Sequence, residues 1–164
     1  MQVKRAVSTF PDNIGFFVYD SIHSQRPVSQ HGSSRAEGHH VAIITPFTDD
    51  QKAIDESAYK THIDRLIDAG VHGLVPGGST GEFTVLSYEE RKQLVELTVR
   101  FAAGRVPVVA GVGDLSTERA VDLSAHAAQA GAQAVMVVPP FYDALNLDEL
   151  HDFLGEVHSK SGLP

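Results

Sequence analysis

The chain of 164 residues contains no cysteine and no tryptophan, and it has no long hydrophobic run. The absence of cysteine excludes disulfides, thiol nucleophiles and cysteine-ligated zinc. It also fits a reducing compartment, so we expect a cytoplasmic protein. The apolar runs fall well below the ~18 residues that span a bilayer, which predicts no membrane partner. Basic residues number 13 against 21 acidic ones, and the net charge of −8 argues against nucleic acid as a partner.

Two parts of unlike composition follow one another along the chain. Residues 1–40 are rich in Ser, His and Gln, show no sustained periodicity, and are predicted to form a poorly ordered extension. Only residues 14–22 in that part are apolar enough for a short strand or a sticky patch. His39 and His40 are adjacent but have no third ligand in view, so we predict no metal site. Residues 41–164 are predicted to form the folded part.

The folded part alternates short apolar runs with longer amphipathic ones. Strands are predicted at residues 41–45, 72–75, 106–110 and 134–138, and helices at residues 55–69, 87–103, 116–130 and 147–160. Ser87 and Glu90 form a capping-box pattern at the start of the second helix. The strands are continuously apolar, as expected of parallel strands buried on both faces, so the fold class is α/β. A doubly wound sheet and part of a barrel fit this pattern equally well.

In either architecture the active site lies at the carboxyl ends of the strands. The second strand is followed there by the sequence GGSTGE, residues 77–82. Its three glycines allow backbone N–H groups to face an anion, and the hydroxyls of Ser79 and Thr80 can donate to a carboxylate. The loop lacks the lysine and the spacing of a nucleotide P-loop. By itself it is also explained by a tight turn between a strand and a helix.

Two other strand ends carry side chains with possible chemistry. Tyr142 follows the fourth strand, where it could relay a proton or orient a substrate. Alone, it is explained more simply as a loop aromatic that packs over neighbouring side chains. Asp114 follows the third strand and could contact a polar substrate. We favour a plainer role for it, as an acid stabilised by the dipole at a helix N-terminus.

Taken together, these segments resemble one family. GSTGE after the second strand, AGVG after the third and PPFYD after the fourth are similar to segments of the class I pyruvate-dependent aldolase superfamily. This superfamily contains 4-hydroxy-tetrahydrodipicolinate synthase and N-acetylneuraminate lyase. The opening VAIITPF and the LSYEER segment at the start of the second helix match as well. The resemblance covers residues 41–164, in the same order and spacing.

The resemblance implies a TIM (β/α)8 barrel that forms homo-oligomers and needs no cofactor. It implies lyase or aldolase chemistry, in which pyruvate or a related 2-oxo acid is held as a Schiff base on a lysine. A closed barrel needs at least ~200 residues. The expected fold is therefore the first four βα units of a TIM (β/α)8 barrel, truncated before the fifth strand.

The resemblance also implies roles for residues of this chain. Ser79 and Thr80 would bind the substrate carboxylate. Ser79 and Tyr142 would act in catalysis as members of a proton relay, with Tyr142 reaching into the site of a neighbouring subunit. The residues expected to support the carboxylate loop are Gly78, Gly81 and Glu82.

The mechanism depends on residues that this chain is predicted not to contain. In the family, the Schiff-base lysine lies on the sixth strand and a second relay tyrosine lies at the end of the fifth. Lys60, Lys92 and Lys160 fall on predicted helices, and no lysine falls on a predicted strand. Because a nucleophilic lysine must be neutral near pH 7, we expect none of them to substitute. The chain alone is therefore predicted to be inactive.

Two expectations about partners follow. Half a barrel leaves apolar strand faces and edges open to water, so the lone chain is expected to self-associate or to be unstable. The alternative to an enzyme is a non-catalytic truncated product that at most associates with full-length subunits of the family.

Overall fold

The computed structural model describes residues 38–164. The extension predicted for residues 1–40 lies almost wholly outside this part, as does the apolar segment 14–22. Helices and strands alternate as the sequence predicts. The strands are β1 (His40–Ala42), β2 (Gly73–Val75), β3 (Val109–Gly111) and β4 (Ala134–Met136). The helices are α1 (Glu56–Asp68), α2 (Tyr88–Ala102), α3 (Thr117–Ala130) and α4 (Leu147–Ser161).

The third strand starts later than predicted. It was expected at residues 106–110, but β3 starts three residues later and extends to Gly111. Pro107 has no N–H to donate to a ladder, so regular pairing begins only after it. The Pro107 carbonyl still accepts a hydrogen bond from the Leu74 N–H at 3.0 Å. At the other end, the Gly111 N–H donates to the Pro76 carbonyl at 2.8 Å, which extends the strand.

Side chains cap the starts of the helices. Asp55 caps α1 by accepting a hydrogen bond from the Ala58 N–H at 2.9 Å. The predicted capping box is present at α2, where the Glu90 carboxylate accepts from the Ser87 N–H at 2.7 Å. These contacts satisfy N–H groups that have no partner inside a helix. Asn146 and Glu149 form a second capping box at α4, which the sequence analysis did not predict.

The strand order distinguishes between the two architectures that the sequence left open. Parallel pairs join β1 to β2 and β3 to β4, and a parallel bridge between Leu74 and Val108 links the two pairs. The helices pack in the same sequence, α1 on α2, α2 on α3 and α3 on α4. The common doubly wound orders, 3-2-1-4-5-6 and 2-1-3-4-5, break such a run. The consecutive order is that of a TIM-barrel-type α/β fold, although residues 38–164 form an open sheet and no closed barrel.

The hydrophobic core lies between the strands and the first three helices. Its fully buried members include Ile43, Ile63, Leu74 and Leu94. Tyr59 is also fully buried, and its hydroxyl lies 2.6 Å from the Thr98 hydroxyl, so a polar contact joins α1 to α2 inside the core. A smaller cluster seats α4 on α3 and consists of Ala120, Phe153 and Val157. The core therefore fixes the strands whose carboxyl ends carry the candidate site.

Candidate functional site

The loops at the carboxyl ends of the strands lie against one another. The Thr45 hydroxyl, beyond β1, donates a hydrogen bond to the Gly81 carbonyl, beyond β2, at 2.9 Å. A Cβ placed on Gly78 would lie 3.2 Å from Cε of Met136 on β4. A Cβ placed on Gly111 would lie only 2.3 Å from the Gly77 carbonyl oxygen, so the β2 and β3 ends can approach this closely only because Gly111 has no side chain. The fold therefore gathers the strand-end loops into one region.

The GGSTGE loop forms a 3-10 turn over Ser79–Gly81 that sequence reasoning did not specify. The Gly81 N–H donates to the Gly78 carbonyl at 3.0 Å, and the Glu82 N–H donates to the Ser79 carbonyl at 3.1 Å. Ser79 is exposed and Thr80 is half-buried. Within residues 38–164, neither their hydroxyls nor their backbone N–H groups have a hydrogen-bond partner. The turn therefore offers several unpaired donors on adjacent residues.

Glu82 supports the turn through its main chain. It adopts a left-handed conformation with φ of 56° directly after the turn. Its carbonyl accepts from the Val85 N–H at 3.0 Å, whereas its exposed carboxylate makes no hydrogen bond to the described part of the chain. The loop is therefore closed by backbone contacts, because the left-handed residue reverses the chain direction where the 3-10 turn ends.

Tyr142 lies apart from Ser79, on a segment after β4 with no regular secondary structure. Its side chain is 84% exposed. It lines a groove of about 470 Å³ together with acidic residues of α4, and Ser79 is not part of that groove. The neighbouring Phe141 instead contacts Phe83, the residue directly after the GGSTGE loop, and the two rings meet edge-on at 6.0 Å. The structure brings the two loops together but leaves the Tyr142 side chain facing outward.

Arg91 braces the region, although no motif in the sequence marks it as a site residue. It is only 6% exposed, yet its guanidinium pairs with the Asp114 carboxylate at 3.1 Å and donates to the Gly113 carbonyl at 2.8 Å. It also lies 5.2 Å from the centre of the Phe83 ring. Burial lowers the pKa of the Arg91 guanidinium, while the Asp114 carboxylate acts in the opposite direction. In the sequence, Arg91 lies on the same face of α2 as Leu94 and other apolar residues. This position could have indicated a buried arginine.

The contacts of Asp114 agree with a structural role. Besides Arg91, its carboxylate accepts a hydrogen bond from the Ser116 N–H at 3.0 Å, just before α3. Within residues 38–164, no three metal-ligating side chains are grouped as a metal site would require. No helix in this part is long and apolar enough to cross a membrane.

Comparison with known proteins gives this geometry a context. The model of the dihydrodipicolinate synthetase family matches residues 35–164. The chain belongs to this family. Among its family relatives, the 4-hydroxy-tetrahydrodipicolinate synthase of Hyphomonas neptunium is 47% identical over 123 residues, which cover 75% of this chain and 41% of the synthase. That of Methanopyrus kandleri is 47% identical over 107 residues, or 65% of this chain and 36% of the synthase.

Solved structures of the dihydrodipicolinate synthetase family share the fold. The synthase from Aquifex aeolicus is 35% identical with a TM-score of 0.73, over 77% of this chain and 43% of its own. A prophage protein of the family from E. coli K12, solved in complex with pyruvate, is 36% identical with the same TM-score of 0.73, over 76% of this chain and 42% of its own. The family resemblance predicted from the strand-end motifs is thus confirmed. The chain spans less than half the length of these relatives.

Proposed function

We propose that this chain carries the carboxylate-binding part of a lyase site of the 4-hydroxy-tetrahydrodipicolinate synthase type. Its substrate would be pyruvate or a related 2-oxo acid, and no cofactor would take part. The observation that supports this function is the Ser79–Gly81 turn at the end of β2, whose first two residues have unpaired hydroxyls and N–H groups within the described part of the chain. Converging donors of this kind suit an oxo-acid carboxylate.

The proposed roles follow from the donors available. Thr80 and Ser79 hold the carboxylate, and this fixes the keto carbon for attack by a lysine amine. Loss of water then gives an iminium ion, and loss of a methyl proton gives the enamine that reacts with an aldehyde. Ser79 and Tyr142 are proposed to pass these protons. The outward direction of Tyr142 suits a residue that completes the site of a neighbouring subunit.

The lysines of the described part are poorly suited to the Schiff base. Lys60 pairs with Asp64 at 2.5 Å, and Lys160 pairs with Glu156 at 2.5 Å. The Lys92 ammonium lies 2.8 Å from Asp122, and this hydrogen bond raises the pKa of Lys92. Lys52 is exposed beside Asp50. A carboxylate partner favours the protonated amine, which is not nucleophilic. We therefore propose that the 164-residue chain alone forms no Schiff base.

Borohydride trapping tests this proposal. The 164-residue chain is incubated with pyruvate and sodium borohydride, and its intact mass is measured. We expect no stoichiometric adduct with this chain. The synthase of Hyphomonas neptunium, treated identically, serves as the positive control. A single adduct that maps to one lysine of this chain would contradict the proposal.

Binding of the carboxylate is tested separately by saturation-transfer NMR of the pyruvate methyl group, which tolerates self-association. Pyruvate is expected to bind the wild-type chain, and its neutral methyl ester is expected to bind at least about tenfold more weakly, the loss of one charge-assisted contact. Thr80→Val should weaken pyruvate binding, while Thr61→Val, at an exposed position of α1, should not. Equal binding of acid and ester would reject Ser79 and Thr80 as a carboxylate site.

A non-catalytic function is the second candidate. Exposed aromatic side chains, Phe141 at 54% and Tyr142 at 84%, favour contact with another subunit. In this case the chain would associate with complete family subunits. Mixing it with the Hyphomonas neptunium synthase and measuring co-elution and synthase activity would test this function. Separate elution with unchanged activity would contradict it.

A further inference from the structure

Thr45 connects the end of β1 to the Ser79–Gly81 turn across 36 residues of sequence. Its hydroxyl donates to the Gly81 carbonyl at 2.9 Å. Gly81 is buried, and within residues 38–164 no backbone N–H donates to this carbonyl. Carbonyls at the end of a helical turn lack a partner inside the turn. The Thr45 hydroxyl therefore supplies the hydrogen bond that the last residue of the turn needs.

The space around this contact is tight. A Cβ placed on Gly81 would lie 3.0 Å from the Ile43 carbonyl oxygen and 3.3 Å from the Thr45 hydroxyl. Ile43 is fully buried, and its N–H donates to the Val75 carbonyl at 3.1 Å, so the backbone directly after β1 is anchored to β2. The turn consequently rests on a fixed support on the β1 side, and a side chain at its last position would crowd that support.

Thr45 itself is held in place from both sides. Beyond it, Phe47 pairs with Ile54 in an antiparallel bridge, and the Asp55 N–H donates to the Pro46 carbonyl at 2.9 Å. The loop between β1 and α1 is thereby closed on itself. The closed loop and β1 together fix the position of the Thr45 hydroxyl. The hydroxyl can therefore hold the turn in one orientation.

We propose that Thr45 is a positioning residue, which holds the Ser79–Gly81 turn in the orientation that directs the Ser79 and Thr80 donors at one carboxylate. This inference rests on the proposed function of the turn. Thr45 does not touch the substrate, and its effect is carried through Gly81. Without its hydroxyl, the buried Gly81 carbonyl is left without a partner, and the turn that carries Ser79 and Thr80 loses its hydrogen bond to the β1 side.

The test compares pyruvate affinity and thermal stability among variants of the 164-residue chain. Thr45→Val keeps the shape of the side chain and removes the hydroxyl, and we expect pyruvate to bind about tenfold more weakly, the effect of losing one buried hydrogen bond. Thr45→Ser restores the donor and should recover most of the affinity. Thr98→Val is the matched control, because it removes a buried hydroxyl between α1 and α2. It should lower the melting temperature and leave pyruvate affinity unchanged.

The outcomes separate this inference from the function on which it rests. If wild-type chain binds no pyruvate, the proposed function fails and this inference fails with it. If wild-type chain binds and Thr45→Val binds within twofold of it, only the role of Thr45 is overturned. A Thr98→Val chain that loses as much affinity as Thr45→Val would show that general destabilisation is responsible, and it would also overturn the role. Gly81→Ala, which crowds the same contact, should reproduce the loss.

Discussion

Arg91 brings a charge into the interior beside the candidate site. Its guanidinium contacts the Asp114 carboxylate, the Gly113 carbonyl and the face of Phe83, so it joins α2 to the loops after β2 and β3. Its Nε atom is buried and has no partner among the described residues. Burying an ion pair is costly, and such pairs often add little net stability. The contacts of Arg91 therefore hold the two loops in register more than they stabilise the fold.

Removing one partner of this ion pair should be more harmful than removing both. We expect Arg91→Met to lower the free energy of unfolding by about 3 kcal/mol, because Asp114 is left mostly buried without its counter-charge. Adding Asp114→Asn should recover at least about 1 kcal/mol, since no buried charge then remains. Arg100→Met, at an exposed pair with Glu56, should cost less than about 1 kcal/mol. Urea denaturation measures all three, and equal losses for Arg91→Met and Arg100→Met would contradict the argument.

Tyr59 predicts how stability falls at high pH. Burial raises the pKa of the Tyr59 phenol above its usual value near 10, because the charged form loses its water. Its contribution to stability is therefore complete below pH ~10 and is lost as pH rises toward the folded-state pKa. Tyr59→Phe should cost about 1 kcal/mol at pH 7. This difference from wild type should shrink above pH ~10, by up to ~1.4 kcal/mol per pH unit. Parallel pH profiles for the two chains would exclude this role for Tyr59.

At the scale of helices and strands, the sequence was informative where structure depends on neighbours along the chain. The capping contacts of Ser87 with Glu90 lie within four residues, so the start of α2 could be predicted. The end of α2 was predicted one residue late, at residue 103, because Ala103 takes the left-handed conformation and the helix ends at Ala102. Propensity does not reveal that an alanine takes this conformation, because the left-handed region is disfavoured for every residue with a Cβ.

Replacing Ala103 by glycine should stabilise the fold. Its φ of 49° places an alanine where the side chain strains the backbone. We expect Ala103→Gly to raise the free energy of unfolding by about 0.5 kcal/mol, the relief of strain less the extra freedom of glycine in the unfolded chain. Ala125→Gly, inside α3, should lower it by about 1 kcal/mol. Thermal denaturation compares the two, and a loss at Ala103 would show that its conformation is unstrained.

In the candidate site too, local features could be predicted from the sequence and contacts between distant residues could not. The GGSTGE loop lies at the end of β2 as the sequence placed it, since three glycines and two hydroxyl residues are local features. The contact of Thr45 with Gly81 and that of Arg91 with Asp114 span 36 and 23 residues, and only the folded strand order creates them. Periodicity could place Thr45 at a strand end and Arg91 on a helix. It could not show what either side chain touches.

At the scale of the whole molecule, the described part is an open four-stranded run with its helices on one side. The Val135 N–H on β4 donates to the Pro164 carbonyl at 3.0 Å, just as Leu74 on β2 donates to Pro107 before β3. In both places, a proline carbonyl beyond a helix meets the backbone of a parallel strand. The repeated contact shows that the outer edge of β4 meets another backbone as β2 does, and a strand edge promotes association where it is left uncovered.

Association should also involve the aromatic loop after β4. Phe141 and Tyr142 are largely exposed and adjacent, and Leu115 is exposed on the rim of the same groove. Contiguous apolar side chains of this size mark contact surfaces. We expect the weight-average mass in sedimentation equilibrium to rise with concentration. The double variant Phe141→Ser with Tyr142→Ser should lower the association constant about tenfold, as expected for the loss of a buried aromatic contact. Leu154→Ser, at an exposed site on α4, should change it little. A constant monomer mass for wild type over the whole concentration range would contradict self-association, and an unchanged constant for the double variant would place the contact elsewhere.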